Sequence, residues 1–396
     1  MTTDKHNKRP NVPPLRFPEF TDEWKTYKVS DVLDFYSTNS LSWDQLEYSD
    51  GELRNLHYGL IHVGLPTLVN LKDDLLPTIK EGNTPKNYTL CLNGDVAFAD
   101  ASEDTNDVAK AIELVETDGN KVVFGLHTIH GRDNKGLTTL GFKGYAFSSK
   151  VFHDQIKCIA QGTKIYSISS KNFTECYIGI PSKAEQSKIA RLLSLLDRRI
   201  AAQSGLIEDL QKLKAALYQK VFSSIPGEEV ALSNLAKIIK GKQINGTELF
   251  DSGNYYVMNG GTLPSGFYNE YNTPANTISI SEGGNSCGYV QFNNVPFWSG
   301  GHCYTLQITS KQIHLSYLYH YLKHREQVIM ALRIGSGLPN IQKKDLERFP
   351  ILMPTIEIQQ KLSRIFDSLQ RKEEVEKSIL NRCLSQKQYL LQKMFI

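Results

Sequence analysis

Two stretches of the chain combine flexible backbone with polar side chains of the kind that recognise the edges of another molecule. One runs Val257-Met-Asn259-Gly-Gly261, continues through Ser281-Glu-Gly-Gly-Asn285-Ser286-Cys-Gly288 and ends at Phe297-Trp298-Ser-Gly-Gly-His302. Glycine lets backbone approach a ligand closely, while Asn, Ser, Trp and His supply donors, acceptors and a stacking face suited to nucleic-acid bases. The other stretch lies in the corresponding middle of the first half: Asp100 and Ser102 within Ala99–Glu103, His127 within Gly125–Thr128, and Arg132. Lys164, Tyr166 and Ser167 after Gly162, and Ser336, Asn340, Lys343 and Lys344 after Gly335, are loop positions suited to phosphates or bases. Tight β-turn packing uses the same residue types, so the pattern alone leaves recognition and turn-building both open.

No catalytic centre emerges. Lys240-Gly-Lys-Gln lacks the leading glycine and the following Ser/Thr of a phosphate-binding loop, and no G-x-G-x-x-G follows a strand. The Asn/Asp-Pro-Pro-aromatic tetrad of amino-methyltransferases is absent; Asn11-Val-Pro-Pro is a different string. Glu23-Trp24-Lys25 has a nuclease-like carboxylate-x-lysine spacing, but it reads better as a surface loop without strand context. His320 and His324 stand at i, i+4 with no third ligand beside them, so a solvated helix face is expected rather than a metal site. His302-Cys303 and His127/His130 have no support as ligands or as nucleophile–base pairs. The expectation is a binding protein with no catalytic residue, metal or cofactor of its own.

The elements that must position these residues are repeated. Shifting the 396-residue sequence by 173 positions lays Pro181 on Pro354, Gln186 on Gln359, Lys188 on Lys361, Arg191 on Arg364 and Leu217 on Leu390 without a gap. Each copy predicts one long helix. In the first, Ile189, Leu193, Leu196, Ile200, Ile207, Leu210, Leu217 and Val221 fall on alternating three- and four-residue steps, a heptad seam interrupted at Gln203 and Lys214. In the second, Leu362, Phe366, Leu369, Leu380, Leu390 and Met394 do the same, interrupted at Glu373, Glu376 and Lys387. Proline at each start suits a first helical turn. About 40 residues at ~1.5 Å each make a rod of roughly 60 Å. If the second helix packs antiparallel on the first, the chain becomes a two-helix rod with a globular module at each end.

Before each helix lies a module of short strands. Asp95–Ala99, Ala111–Val115 and Lys121–Phe124 in the first are punctuated by Asn93-Gly94 and Asp118-Gly119, and a helical stretch covers about 145–160. Tyr255–Met258, Thr277–Ile280 and Tyr304–Ile308 in the second precede a helix from about Leu315 to Leu332. The module ends echo each other, Gly162…Ile168…Lys171…Ile178…Pro181 matching Gly335…Ile341…Lys344…Ile351…Pro354, while regions 40–140 and 240–310 do not.

Charge and composition narrow the function classes. The net charge is +3; segments 183–224 and 354–396 carry +4 and +3, leaving the rest at −4. A grip on DNA must then be local or shared with partners. The six cysteines include no C-x-x-C pair and read as reduced thiols of a cytoplasmic protein. No apolar run suits a membrane span or an export signal.

Three sets of residues carry a family resemblance. They are Pro181-Ser-Lys-Ala-Glu185-Gln186-Ser-Lys188-Ile189, its repeat Pro354-Thr-Ile-Glu357-Ile-Gln359-Gln360-Lys361-Leu362, and the opening Leu15-Arg-Phe-Pro-Glu-Phe-x-x-x-Trp24. With the alternation of variable modules and repeated helices, the chain resembles the specificity subunit of type I restriction–modification enzymes over nearly its whole length. One departure is that Glu185-Gln186 becomes Ile358-Gln359 in the second copy. The resemblance implies a modular α/β (α+β) fold: two mixed α/β target-recognition domains joined by two long antiparallel coiled-coil helices with pseudo-two-fold symmetry. The expected divisions are a disordered tail 1–14, a recognition domain 15–180, a spacer helix 181–224, a second recognition domain 225–353 and a second helix 354–396. It further implies that each domain reads one half of a bipartite double-stranded DNA site. The helices would set the spacer and dock two methyltransferase subunits, with restriction–translocase subunits joining that core. S-adenosylmethionine, ATP and Mg would belong to those partners. A rod of roughly 60 Å spans at most ~18 base pairs. Competing readings are a non-catalytic coiled-coil scaffold and a self-sufficient methyltransferase; the missing donor and catalytic motifs weigh against the latter.

Overall fold

The computed structural model describes residues 11–396 apart from Asn106, Ser336 and Leu338. Most of the expected tail, and the candidate Ser336, therefore lie outside the described residues. Two compact units are present, one comprising the chain up to Ser204 with Ile379–Ile396, the other Gly205–Ser378. Each takes a share of both long helices, Lys183–Phe222 and Ile356–Lys393. Residues 11–14 depart from the expected tail: the Asn11 amide donates to the Trp24 carbonyl at 2.7 Å and Pro13 is buried. Among the described residues no helix is long and apolar enough to cross a membrane.

A strand clasp frames each unit. In unit 1 Lys25–Lys28 pairs antiparallel with Tyr177–Ile180, Lys25 opposite Ile180. In unit 2 Glu228–Ala231 pairs antiparallel with Pro350–Met353, Glu228 opposite Met353. Ile180 and Met353 are one 173-residue repeat apart, so both clasps share a register and both deliver the chain into a long helix. The helix starts differ from expectation. Ser182 and Thr355 accept from the Gln186 and Gln359 N–H groups through their carbonyls, each at 3.0 Å, and so take the cap position. Pro181 and Pro354 precede the caps instead of occupying the first turn.

The repeated glutamines explain the motif physically. Gln186 is fully buried; its amide donates to the carbonyls of Pro181 (2.9 Å) and Leu137 (3.1 Å), and its oxygen accepts from Thr139 N–H at 2.7 Å. Gln359 repeats this on Pro354 (2.9 Å), Gln312 (3.0 Å) and His314 N–H (2.8 Å). Each pins its helix start to a loop of its own unit. Glu185 has a separate task, accepting from Arg16 through both oxygens at 2.7 Å and from Trp24 Nε1 at 3.3 Å. A carboxylate this buried needs such a partner. At the repeated position Ile358 is apolar, so the departure in the second copy removes both the charge and the need for a partner.

Between clasp and helix the sheets are closer than their sequences suggest. Unit 1 has a five-stranded sheet in the order Asp34–Tyr36, Thr128–Arg132, Val96–Ala99, Ala111–Glu116, Leu68–Asn70, antiparallel except for the last pair. Unit 2 orders Ala236–Lys240, Cys303–Ile308, Thr277–Ser281 and Val290–Asn293 in a fully antiparallel sheet. Four strands thus follow the same order, because pairing depends on alternation and register and tolerates many sequences. Asp118 and Gly119 adopt the positive φ of a tight turn (+50° and +75°), yet their flanking strands enter different sheets and form no hairpin. The expected 145–160 helix is two helices, Phe142–Phe147 and Lys150–Ile159. The expected 315–332 helix breaks at Arg325 into Leu315–His324 and Glu326–Met330.

Each unit buries its own core against its shares of the long helices. In unit 1 Trp24, Phe98, Phe142 and Phe147 pack with Ile189, Leu193, Leu390 and Phe395. In unit 2 Ile278, Leu306, Tyr317 and Leu318 pack with Tyr218, Phe222 and Phe366. Burying a side chain of this size contributes about 1.5–3 kcal/mol. Trp24 is 3% exposed and Lys25 opens a strand, which corrects the surface-loop reading of Glu23-Trp24-Lys25.

Candidate nucleic-acid interface

In unit 1 the candidates gather at the end of the central strand Val96–Ala99. Asp100 follows that strand and His127 precedes its neighbour Thr128–Arg132. His127 Nδ1 lies 3.1 Å from Asp100 Oδ1, and its backbone takes a positive φ of +55°, which is rare outside glycine. Ser102 pairs with Tyr166 across a short ladder, and Lys164 is exposed just before it. Arg132 is not part of this group. Both Asp95 oxygens accept from it at 2.7 Å, it covers the Tyr36 ring at 4.7 Å, and its side chain is 16% exposed. Burial alone would raise the Asp95 carboxyl, but hydrogen bonds from Arg132 and His130 pull it below its ordinary value.

In unit 2 three loops converge. Glu282 follows the strand Thr277–Ser281, His302 precedes Cys303–Ile308, and Asn259 follows Tyr255–Met258. Asn259 Oδ1 accepts from the His302 N–H at 3.1 Å. Asn340 bridges to Gly283, and Asn285 and Ser286 occupy the turn after it, with Asn285 exposed. Trp298 lies beside this group on a strand paired with Val257; its Nε1 donates to the Lys242 carbonyl at 2.9 Å and its ring meets Tyr268 edge-on. Lys343 is exposed, opening a short helix and facing Glu347 at 3.7 Å. Three neighbours of these groups carried no sequence signal: Tyr58, whose ring meets His127 at 5.2 Å, His62, which contacts the Ala101 carbonyl at 2.9 Å, and Lys240, which reaches Glu282 at 2.6 Å. They come from elements distant in sequence, which no local pattern links.

The helix seam is buried in part as expected. Ile189, Leu193, Leu196, Ile207, Leu210, Phe366 and Leu390 are buried, while Ile200, Leu217, Leu362, Leu369 and Leu380 are half-buried. Towards the end of the first helix burial passes from Leu217 and Val221 to Tyr218 and Phe222. There the Tyr218 hydroxyl lies 2.7 Å from His320 Nδ1 and Phe222 stacks on His324. His320 is fully buried and His324 half-buried, so the solvated-face expectation for this pair is wrong. The polar interruptions are matched, not idle. Lys387 meets Asp197 at 2.6 Å in unit 1; in unit 2 Lys214 reaches Gln370 at 3.1 Å and pairs with Glu373. Lys214 and Lys387 are one repeat apart, as are Asp197 and Gln370. Beside this seam, Leu195, Leu384 and Tyr389 of unit 1 and Leu206, Leu213, Ile365 and Val375 of unit 2 leave large apolar surface exposed.

Among the described residues one group of potential metal ligands lies close together, the buried Cys91, Asp95 and His130. Asp95 already serves Arg132 and His130, and the guanidinium beside it disfavours a further cation. All six cysteines are free thiols and five are buried; Cys158 is exposed.

Comparison with known proteins gives one answer. Residues 126–212 and 226–383 match the model of the type I restriction modification DNA specificity domain. A chain named as a type I specificity subunit of Mycoplasma genitalium is 26% identical over 272 residues, covering 65% of this chain and 70% of that one. Another so named, from Mycoplasma pneumoniae, is 36% identical over 141 residues, covering 34% and 37%. Among solved structures, the type I restriction–modification S subunit from M. genitalium superposes with a TM-score of 0.69 at 20% identity, covering 97% of this chain and 99% of that one. A chain from a structure on assembly and conformational transition of the type I system gives 0.55 at 16% identity, covering 96% and 98%.

Proposed function

Since the chain belongs to the type I restriction–modification DNA specificity family, we propose that each unit reads one half of a bipartite double-stranded DNA site. Asp100, Ser102, His127, Lys164 and Tyr166 face one half-site; Asn259, Asn285, Ser286, Trp298, His302, Asn340 and Lys343 face the other. Arg132 supports this surface from within. The long helices set the unread gap and dock two methyltransferase subunits, and restriction–translocase subunits complete the assembly in the cytoplasm. S-adenosylmethionine, ATP and Mg are held by those partners. The observation that carries this reading is the repeated frame, with clasps in one register and glutamines on equivalent acceptors, around middles that share strand order but not sequence. Duplicated scaffolding with divergent tips is what two different readers require. The exposed apolar residues beside the helix seam support partner docking there.

The test is to express this chain with its cognate methyltransferase subunit in a host lacking the system and sequence the modified adenines. A split motif of two short half-sites is expected. An undivided motif, or no new motif, refutes the reading.

A further inference from the structure

One arrangement recurs at the same place in both units although the sequences around it differ. Asp100 follows the central strand of unit 1 and His127 precedes its neighbour; Glu282 and His302 hold the same two places in unit 2. The backbone closes alike in both. The Asp100 N–H donates to the His127 carbonyl at 3.1 Å, and the Glu282 N–H to the His302 carbonyl at 2.9 Å. The carbonyls of Asp100 and Glu282 accept from Ile168 and Ile341 N–H at 3.0 and 2.9 Å, and those isoleucines are one repeat apart. The acid thus faces the imidazole in each unit, at 3.1 Å in the first and 3.6 Å in the second.

Packing does not account for the pair. The imidazoles of His127 and His302 are 49% and 62% exposed. Glu282 is 8% exposed; its Oε1 accepts from Lys240 Nζ at 2.6 Å and from the Tyr304 hydroxyl at 3.0 Å, but among the described residues none donates a hydrogen bond to its Oε2. A buried carboxylate oxygen left without a donor is costly, and one held beside a recognition surface is suited to a donor arriving with a ligand. Glycine lets the loops pack this closely: a Cβ on Gly260 would come within 3.1 Å of the His302 Cβ and carbonyl.

We propose that this carboxylate–imidazole pair is a base-reading element present once in each unit. The carboxylate accepts the exocyclic amine of a cytosine (N4) or an adenine (N6) in the major groove, and the imidazole donates to an acceptor on the paired base. Glu282 is then a specificity residue of unit 2 and Asp100 its counterpart in unit 1. The inference rests on the half-site reading proposed above.

The experiment maps modified adenines for the full chain with its methyltransferase partner, comparing Asp100→Asn, Glu282→Gln and His302→Gln with the parent. Glu282→Gln is expected to relax one position of a single half-site, cutting discrimination there by about ten- to a hundredfold. Asp100→Asn should do the same in the other half-site only. The base lost identifies cytosine or adenine. Unchanged discrimination at every position in these variants overturns the proposal. If Glu282→Gln fails to fold, the exposed His302→Gln carries the test for unit 2, and an unchanged motif again overturns it. A parent motif that is not divided refutes the half-site reading; a position relaxed by Glu282→Gln within it would still uphold the reading pair.

Discussion

Neutralising Glu373 should weaken unit 2, because its carboxylate is the buried centre of a charged cluster in the helix seam. The carboxylate is 7% exposed; it pairs with Lys214 and accepts from Lys377 at 2.7 Å and Gln211 at 3.0 Å. Burial alone would raise it, yet those hydrogen bonds hold it at about 2 instead of the ordinary 4.5. That depression corresponds to about 3 kcal/mol of stability at neutral pH. Breaking a buried pair costs about 3–5 kcal/mol, and the partial exposure of Lys214 (18%) and Lys377 (49%) lowers the expected cost of Glu373→Gln to about 2–3 kcal/mol. Because the folded value lies below the ordinary one, the contribution is complete above pH 4.5 and fades as pH falls towards 2. The assay is hydrogen–deuterium exchange of peptides from 205–222 and 356–378 at pH 7, with exposed Glu374→Gln as control. A Glu373→Gln loss within about 0.5 kcal/mol of that control would show that the buried cluster contributes no stability. Replacing both partners together, Lys214→Met with Glu373→Leu, should restore most of the stability, since no charge is then left buried alone.

Two further outcomes follow from the repeated frame. Gln186→Ala and Gln359→Ala should each destabilise only their own unit, by about 2–3 kcal/mol for the buried groups left unpaired, read as unit-specific protease sensitivity; loss spread equally over both units would count against the clamp. Inserting one matched heptad after Ser204 and before Ile379 adds ~10.5 Å to each helix, and methylation mapping should show the gap grow by ~3 base pairs with both half-sites unchanged. Altered half-sites would sink the spacer idea.

The most legible parts of the molecule were those repeated or periodic. The 173-residue repeat, the helix seam, the matching module ends and the strands at Val96–Ala99, Thr277–Ser281 and Cys303–Ile308 could be read directly, because a helix stripe and a strand run leave a local signature. The candidate surface was legible in part. Asp100 meets His127, Ser102 pairs with Tyr166 and Asn259 meets His302, because the loops that carry them adjoin neighbouring strands. Arg132 misled, since an arginine at a strand end looks the same whether it meets solvent or a buried carboxylate 37 residues earlier in sequence. His320 and His324 misled for a similar reason: i, i+4 spacing tells that they share a face but not what covers it.

Two modules, two helices and one repeating frame are written in the linear sequence, since duplication and period are properties of the string. The folded chain is what gives the divergent middles a common strand order. It alone set Glu282 against His302 as Asp100 is set against His127, and gave the seam lysines their acceptors. Those pairings join residues tens to hundreds of positions apart, and hydrogen bonds and ion pairs form by proximity in space.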